Sequence, residues 1–288
     1  MFSVSSMVLP LQKAALKRPG QSLKSADPEK WHYSNYFDRD KVDSVHDSLV
    51  SHLKSRGVEI FWINGDDQGN ADSVFAYDAS LMTPAGAILM SLGKKLREGE
   101  QELHKEFYEE NGIPILGRIT GNGKAEAGDT VWLDDKTLII GRGFRTNLQG
   151  AVQIQSLVAD LGIKCHIFDL PFHRGSQACL HLMSLISIVD IKKALVCLPF
   201  LPVSLWQLLK KKEYELIPAP LEEFESSDTL STNVLATSPG ECLMLKGLPK
   251  TYCVLKSYGI KVEVFEGDAL CLGCEGGPTC LTRPLLRA

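Results

Sequence analysis

The chain has 288 residues, of which 44% are hydrophobic and 23% are charged, so it can bury a large core and shows no sign of disorder or of a membrane span. Its 31 basic and 35 acidic residues give a formal charge of -4, which leaves no broad basic field for nucleic acid or anionic lipid. The composition therefore favours a globular protein that acts on a small molecule, and residues 1–288 are predicted to form one domain.

The eight cysteines are scattered, and most lie in apolar runs such as IKCHIF and ALVCLPF. This usage is typical of reduced, buried thiols in an intracellular protein, so a cytoplasmic location is predicted. The first residues, MFSVSSMVLPLQKAALKRPGQ, carry basic and no acidic residues, but they lack the apolar region of a secretory signal. They are predicted to form a first strand and its turn.

Short apolar runs bounded by Gly, Pro or Asp alternate with amphipathic stretches along the chain. The predicted strands are GVEIFWI, GAILMSL, TLIIGRG, IKCHIFDL, ALVCLPF, GECLMLKG and VEVFEGDAL. Helices are predicted over residues 39–56, 97–112, 149–161 and 247–258. Each helix ends at a glycine that is followed at once by a strand, and these glycines are Gly57, Gly112, Gly162 and Gly259.

The recurrence of a helix, a glycine and a strand indicates a structural unit that is repeated with little sequence identity, and hence an α/β repeat architecture. A dinucleotide-binding sheet would share this rhythm, but no strand is followed by a G-x-G-x-x-G loop, and GNGKAEAG leads into a strand instead of a helix. The polar, Ser-rich segment EFESSDTLSTN is predicted to be a surface loop.

A cysteine near the C-terminus is the first candidate for chemistry, because Cys280 follows a Gly-Gly-Pro-Thr turn that can hold its thiol exposed at a site. A nucleophilic cysteine needs a base or a cation, and a histidine needs an orienting partner. His181, which opens an apolar stretch, and Glu126, which precedes a strand, are candidates for these roles. Taken singly, such a histidine is more often a core residue, and acids such as Glu126 and Asp129 are commonly turn residues.

Five blocks of sequence in a fixed order raise the specificity of this interpretation. They are NADSVFAYD at 70–78, EAGD at 126–129, IGRGFRTN at 140–147, HLMS at 181–184 and GGPTCLTRP at 276–284. Together they resemble the dimethylargininase and arginine deiminase family of the guanidine-modifying, or pentein, superfamily. The resemblance extends over nearly the whole chain, and several separated blocks in order are more specific than any one of them.

The resemblance implies a five-bladed α/β propeller with the active site in a central channel. It also implies that Cys280 attacks the central carbon of a guanidinium, that His181 acts as general acid and base, and that Glu126 orients the histidine. One nitrogen would leave as an amine or ammonia, and water would resolve a covalent thiouronium intermediate. The thiol itself carries this chemistry, so no organic cofactor and no metal are expected.

Four further residues match positions that bind substrate in the family. A guanidinium is planar and cationic, so carboxylates can bind it through paired hydrogen bonds, and Asp78 and Asp72 occupy the block that holds such groups. Asp78 is the stronger candidate, since Asp72 can equally serve the amino end or a structural turn. Arg97 and Arg145 resemble the arginines that bind an α-carboxylate, with a helix charge and a strand-end ion pair as alternatives.

Three positions depart from the family pattern. Ala127 replaces the first glycine of the commoner EGGD form of the acid motif, which is tolerable if the position does not need a positive φ. Met183 stands where arginine deiminases usually carry an aspartate, and Tyr77 stands where mammalian-type dimethylargininases have an acid. The pocket is therefore predicted to be less anionic than either prototype, which would suit a neutral ureido group or a modified guanidine.

Two other features have weaker functional interpretations. Cys271 and Cys274 form a C-L-G-C pair that could bind zinc, but no second close pair exists, so a strand and turn is the preferred interpretation. His173 and Arg174 precede His181 on a loop and either border the site or are simply solvated.

Three functions are compatible with the sequence. The first is a hydrolase that acts on arginine, a modified arginine or citrulline; the second is an amidinotransferase; the third is a binding protein without turnover. Retention of the cysteine, histidine and acid argues against the third, and the short chain favours the hydrolase. The expected partner is a small guanidino or ureido amino acid, with no nucleic acid and no membrane. A homodimer is also considered.

Overall fold

The computed structural model describes residues 1–176, 178 and 180–288, and these contain strands and helices in regular alternation. The strands are β1 (Leu11–Leu16), β2 (Glu59–Trp62), β3 (Ser80–Thr83), β4 (Gly86–Leu89), β5 (Ile115–Arg118), β6 (Thr130–Asp134), β7 (Thr137–Arg142), β8 (Lys164–Asp169), β9 (Ile186–Asp190), β10 (Lys193–Val196), β11 (Glu215–Pro218), β12 (Leu235–Ser238), β13 (Glu241–Leu245), β14 (Lys261–Phe265) and β15 (Arg283–Arg287). The α-helices are α1 (Gln21–Lys24), α2 (Pro28–Trp31), α3 (Val42–Ser55), α4 (Glu100–Glu110), α5 (Leu148–Ala159), α6 (Val203–Lys211), α7 (Leu221–Ser226) and α8 (Pro249–Ser257).

Within the described residues, the strands form five three-stranded sheets of one topology. In four of them, two antiparallel strands are followed by a helical connection and a third strand that lies parallel to the second, as in β3–β4–β5, β6–β7–β8, β9–β10–β11 and β12–β13–β14. The remaining sheet, β15–β1–β2, has the same arrangement but takes β15 from the other end of the chain. The predicted five-bladed α/β propeller is confirmed, and pairing between the two chain ends completes its fifth blade.

The predicted helices are present, and each predicted strand run contains a strand, because their boundaries depend on local signals. Gly57, Gly112, Gly162 and Gly259 all adopt a positive φ, between 62° and 81°, as a helix stop before a strand requires. The strand predicted in VEVFEGDAL ends at Phe265, and a π-helical turn at Asp268–Leu272 follows it. Helix α6 was not predicted.

The interpretation of EFESSDTLSTN as a surface loop is wrong. The segment contains the end of α7 and a 3-10 turn at Leu230–Thr232, and Ser231, Thr232 and Asn233 are buried. Local composition was misleading here, because the polar side chains find partners inside the protein: the Thr232 hydroxyl donates to the carbonyls of Ser184 and Thr229. None of the helices in the described part of the chain combines the length and apolar character that a membrane crossing requires.

Short irregular segments immediately before the first strand of each blade place the polar residues of the centre. Asp78 precedes β3, Glu126 precedes β6, His181 precedes β9, Asn233 precedes β12 and Cys280 precedes β15. Each blade therefore presents one polar side chain from an equivalent position. The repeated architecture brings together residues that are far apart in sequence.

Candidate active site

Two adjoining cavities lie at this centre, and Asp78, His181, Glu275 and Cys280 line both of them. One cavity, here called the apolar chamber, is completed by Tyr77, Gly128, Met183, Ser184, Thr229, Leu230, Asn233 and Thr279. The other, here called the charged chamber, is completed by Trp31, His32, Asp72, Phe75, Lys94, Arg97, Arg145, Cys274 and Gly276. Of the seven residues predicted to act in catalysis or substrate binding, six line a chamber and Glu126 lines neither.

Glu126 lies directly behind His181 and fixes its orientation. The Oε2 atom of Glu126 is 2.6 Å from Nε2 of His181, and both side chains are buried. An ionised carboxylate only accepts hydrogen bonds, so Nε2 carries a proton and donates it to Glu126. This contact occupies Nε2, so an exchange of a proton with a substrate would use Nδ1.

The surroundings of Glu126 keep it ionised. Its Oε1 atom accepts hydrogen bonds from the backbone N–H groups of Gly93 and Lys94 at 2.9 and 3.0 Å, and Nη1 of Arg145 lies 3.5 Å from Oε2. Complete burial alone would raise the pKa of Glu126, but Arg145 and the hydrogen bond from His181 outweigh burial and hold this pKa well below its usual value. Glu126 is therefore an anion throughout the physiological pH range.

The rest of the EAGD motif supports the histidine through its backbone and its second acid. Oδ1 of Asp129 accepts from the backbone N–H of Leu182 at 2.9 Å, which ties the turn of His181 to the motif. Ala127 does not have a positive φ, so the departure from glycine costs no backbone strain. A Cβ atom on Gly128 would lie 2.6 Å from Nδ1 of His181, and this close approach requires the glycine.

Asp78 and Arg97 form a buried ion pair in which Nη1 of Arg97 is 2.7 Å from Oδ2 of Asp78. Nε and Nη2 of Arg97 also donate to Glu100, and Nη2 donates to the carbonyl of Phe75. Burial would lower the pKa of Arg97, but Glu100 and Asp78 outweigh this effect, so the guanidinium stays charged. Most of its donors are used within the protein, and Arg97 therefore orients Asp78, whereas its role towards a substrate carboxylate stays a prediction.

Asp72 lies at the edge of the charged chamber, where it holds two other side chains. Its Oδ1 atom accepts from the hydroxyl of Tyr33 at 2.8 Å, and its Oδ2 atom is 2.6 Å from Nζ of Lys94. Lys94 also lies 5.1 Å from the ring centre of Trp31. Asp72 thus organises the wall of the chamber, and binding of a substrate amino group stays a prediction.

Cys280 is half-buried on a turn that is docked against the block holding Asp78. The backbone N–H of Tyr77 donates to the carbonyl of Cys280 at 3.0 Å. Cys271 and Cys274 are buried nearby, and burial raises the pKa of both thiols well above the ordinary value, so they stay protonated.

Asn233 and Glu275 are among the site residues that were not predicted from the sequence. Nδ2 of Asn233 lies 3.0 Å from Sγ of Cys280, although Asn233 belongs to the segment that was assigned to the surface. Glu275 has a positive φ of 56° and adds a carboxylate to both chambers, which offsets the acids missing at Tyr77 and Met183. The position of Asn233 just before a blade's first strand, equivalent to those of Glu126 and His181, is the signal that would have identified it.

The remaining candidates occupy other places. His173 packs its ring against Phe200 and Phe224, at centroid distances of 5.2 and 6.2 Å, outside both chambers. Arg174 forms an ion pair with Asp228, which adjoins the chamber residue Thr229. Neither residue lines either chamber.

Among the described residues, Asp78, Glu126 and His181 form a group whose ligand atoms lie within 4.8 Å of one another. These distances would allow the group to coordinate a metal ion, but its ligand atoms already take part in hydrogen bonds. Glu126 accepts from His181 and two backbone N–H groups, and Asp78 accepts from Arg97 and from the backbone N–H of Gly128 at 3.0 Å. The arrangement suits proton transfer beside a thiol better than metal coordination.

Comparison with known proteins agrees with this geometry. The sequence model of the arginine deiminase family matches residues 70–205. An N(G),N(G)-dimethylarginine dimethylaminohydrolase of Pseudomonas aeruginosa is 25% identical over 243 residues, which cover 84% of this chain and 87% of the relative. The solved structure of DDAH from P. aeruginosa, a cysteine-to-serine mutant complexed with citrulline, superposes with a TM-score of 0.77 at 22% identity and covers 97% of this chain and 100% of the other.

The same fold also occurs in a protein described as an amidinotransferase. This protein, from Microseira wollei, superposes with a TM-score of 0.76 at 16% identity, with 99% of this chain and 97% of the other covered. The family match, the relative and the shared fold agree with the blocks of sequence that gather at the centre of the propeller. These similarities support the assignment of the chain to the dimethylargininase and arginine deiminase-like group of the pentein superfamily.

Proposed function

We propose that this protein is a cysteine-dependent hydrolase that cleaves a C–N bond of a guanidino or ureido group in arginine or a modified arginine. The observation that carries the proposal is the position of Cys280 in the same two chambers as His181 and Asp78, with Glu126 2.6 Å behind the histidine. This set contains a nucleophile, an oriented acid and base, and a carboxylate for a cation.

In the first half of the reaction, the Cys280 thiolate forms a bond to the guanidinium carbon. The bond from that carbon to the departing nitrogen then breaks, and protonated His181 transfers its Nδ1 proton to this nitrogen, which leaves as a neutral amine or ammonia. The product is a covalent thiouronium cation on Cys280. Glu126 accepts a hydrogen bond from the Nε2 proton in both forms of the histidine. Because the low pKa of Glu126 keeps it ionised, its negative charge stabilises the imidazolium.

In the second half, neutral His181 removes a proton from water, and the hydroxide adds to the thiouronium carbon. The C–S bond breaks, its electron pair returns to Cys280, and the carbon becomes the carbonyl of a ureido product. The proton lost in forming this carbonyl is taken up by the released amine. The thiolate and the protonated histidine are thereby regenerated, and the overall reaction consumes one water molecule.

The two chambers suggest how the substrate is oriented. The charged chamber supplies Arg145 and Lys94, cations that suit the carboxylate of an amino acid. Asp78 uses one hydrogen bond on each oxygen, so its carboxylate retains acceptor positions for guanidinium N–H groups. Tyr77 and Met183 give the apolar chamber a surface that suits an alkylated nitrogen better than a bare guanidinium.

The proposal is tested by mass spectrometry of the purified protein with arginine, N-methylated arginines, citrulline, agmatine and guanidino acids in H₂¹⁸O. We expect release of an amine or ammonia from one compound and one ¹⁸O atom in its ureido product, because water supplies the carbonyl oxygen. A rapidly quenched reaction should also give a mass increase on the peptide that contains Cys280.

The matched control is Cys280→Ser, which keeps the shape of the site and removes the thiolate. Turnover that survives in this variant would contradict the proposal. Formation of the covalent adduct with transfer to an added amine, and no ¹⁸O incorporation, would instead identify an amidinotransferase.

A further inference from the structure

The amide of Asn233 bridges the turn that carries Cys280. Its Nδ2 atom lies 3.0 Å from Sγ of Cys280, and its Oδ1 atom accepts a hydrogen bond from the backbone N–H of Thr279 at 3.0 Å. One side chain thus contacts the nucleophilic atom and the backbone of the preceding residue. Asn233 is buried, and Cys280 is half-buried.

The contact to Thr279 determines which end of the amide faces the sulfur. A backbone N–H can only donate, so the atom that faces it must be the carbonyl oxygen of Asn233. The N–H₂ end is then directed to Sγ of Cys280, where it serves as a donor. The assignment follows from the hydrogen-bonding pattern and not from the shape of the amide.

The surrounding structure holds Asn233 firmly in this position. The hydroxyl of the adjacent Thr232 donates to the carbonyl of Ser184, which connects the Asn233 turn to the turn of His181. A Cβ atom on Gly277 would lie 2.5 Å from Cγ of Asn233, so the glycine allows the amide to approach the cysteine turn closely. The donor is therefore fixed relative to both the sulfur and the histidine.

We propose that Asn233 is a positioning residue that holds Cys280 on its turn and stabilises the thiolate by an N–H···S hydrogen bond. A hydrogen bond to the charged form of an acid favours that form, and a fixed donor in a buried site is more effective than mobile water. After the thiouronium collapses, the same donor receives the returning charge on sulfur. The inference rests on the proposed function for its role in turnover, but the effect on the thiolate is independent of turnover.

The test is the pH dependence of Cys280 alkylation by iodoacetamide, followed on the Cys280 peptide by mass spectrometry. Asn233→Asp keeps the acceptor for Thr279 and replaces the donor with a carboxylate oxygen, so the midpoint should rise by one pH unit or more. Asn233→Ala, which removes both contacts, should raise the midpoint by about one pH unit. At pH 7 each change lowers the alkylation rate, by roughly tenfold for one unit.

The matched control is Asn111→Asp. It also replaces an amide that donates a hydrogen bond, here to the carbonyl of Phe107, but this amide lies at the end of α4. An unchanged midpoint in Asn233→Ala, with folding verified by thermal unfolding, would overturn the inference. A raised midpoint in Asn233→Ala and not in the control supports it, whereas the rise in Asn233→Asp also contains the repulsion between the new carboxylate and the thiolate. Because alkylation needs no substrate, this result stands apart from the turnover assay, and failure of one does not imply failure of the other.

Discussion

Around His181 the site is closed and anchored to the backbone, whereas around Cys280 it is open and rests on a glycine-rich turn. Glu126 and Asp129 are fully buried, and between them they accept backbone N–H groups from three residues. Cys280 and Glu275 are only partly buried, and the turn between them contains two glycines. The first region is here called the histidine side (Glu126, Gly128, Asp129, His181) and the second the cysteine side (Asn233, Glu275, Gly277, Cys280).

The difference reflects what each group must do in the proposed reaction. The histidine transfers protons in both halves, so its ring must keep one orientation, and buried, fully hydrogen-bonded acids provide it. The cysteine must reach a carbon atom, carry a covalent adduct and release it, so its turn needs space on the substrate side. Asn233 contacts the sulfur of Cys280 on the cysteine side, as Glu126 contacts Nε2 of His181 on the histidine side.

The largest expected effect comes from adding one methyl group to each side, through Gly128→Ala and Gly277→Ala. The new Cβ at position 128 would meet Nδ1 of His181 at 2.6 Å, and neither the histidine nor Asp78 can move without losing a buried partner. We expect kcat/KM to fall by about 100-fold, the typical result of displacing a catalytic group by about 1 Å. At position 277 the methyl displaces Asn233, and we expect a loss of about tenfold at pH 7.

The two variants are controls for each other, because both add the same group at a glycine without positive φ. Steady-state kinetics on the substrate found in the screen, with thermal unfolding of each variant, gives the comparison. A greater loss for Gly277→Ala than for Gly128→Ala would contradict the view that the histidine side is the more rigid.

A smaller effect is expected on stability when Asp129→Asn removes the second buried acid of the histidine side. Burial raises the pKa of Asp129 from 3.8 to about 6, so ionisation costs folding free energy as the pH rises from 4 to 7, and the cost is absent below the ordinary pKa. The asparagine keeps an acceptor for the Leu182 N–H and does not titrate. Relative to wild type, the variant should therefore gain about 2 kcal/mol between pH 4 and pH 7.

Urea unfolding of both proteins at several pH values measures this gain. A penalty for burying the new amide shifts the variant's curve by the same amount at every pH, so it does not affect how the difference between the two curves changes with pH. Parallel curves for the two proteins would show that folding does not raise the pKa of Asp129.

The smallest effect is expected on the cysteine side, where Glu275→Gln removes a partly exposed carboxylate. In a Cys280→Ser background, the affinity for cationic arginine should fall by about fivefold, as for a partly solvated ion pair, and the affinity for neutral citrulline should not change. Isothermal titration with both ligands measures the ratio. Glu222→Gln, which removes an exposed partner of Lys250, serves as control, and equal losses for both ligands would exclude an electrostatic role for Glu275.

Local patterns accounted for much of the fold and for the central residues of the site. Helix ends depend on a glycine that can adopt positive φ, and this requirement is visible in the sequence at Gly57 and Gly259. The short blocks around Glu126, His181 and Cys280 are equally local, because each occupies one turn before a strand. The resemblance of these blocks implied the propeller, and the repeated rhythm of helix, glycine and strand, which by itself predicted an α/β repeat, agrees with it.

The sequence by itself thus determined the repeated unit, its helix ends and the three residues of the proposed reaction. Only the tertiary structure decided the partners of those residues. Asn233 and Cys280 are 47 residues apart, Arg97 is occupied by Asp78 and Glu100, and the Ser-rich segment that resembles a loop is buried beside His181. A hydrogen bond between distant segments leaves no periodic signal in either one, because its geometry exists only after the blades have closed around a common centre.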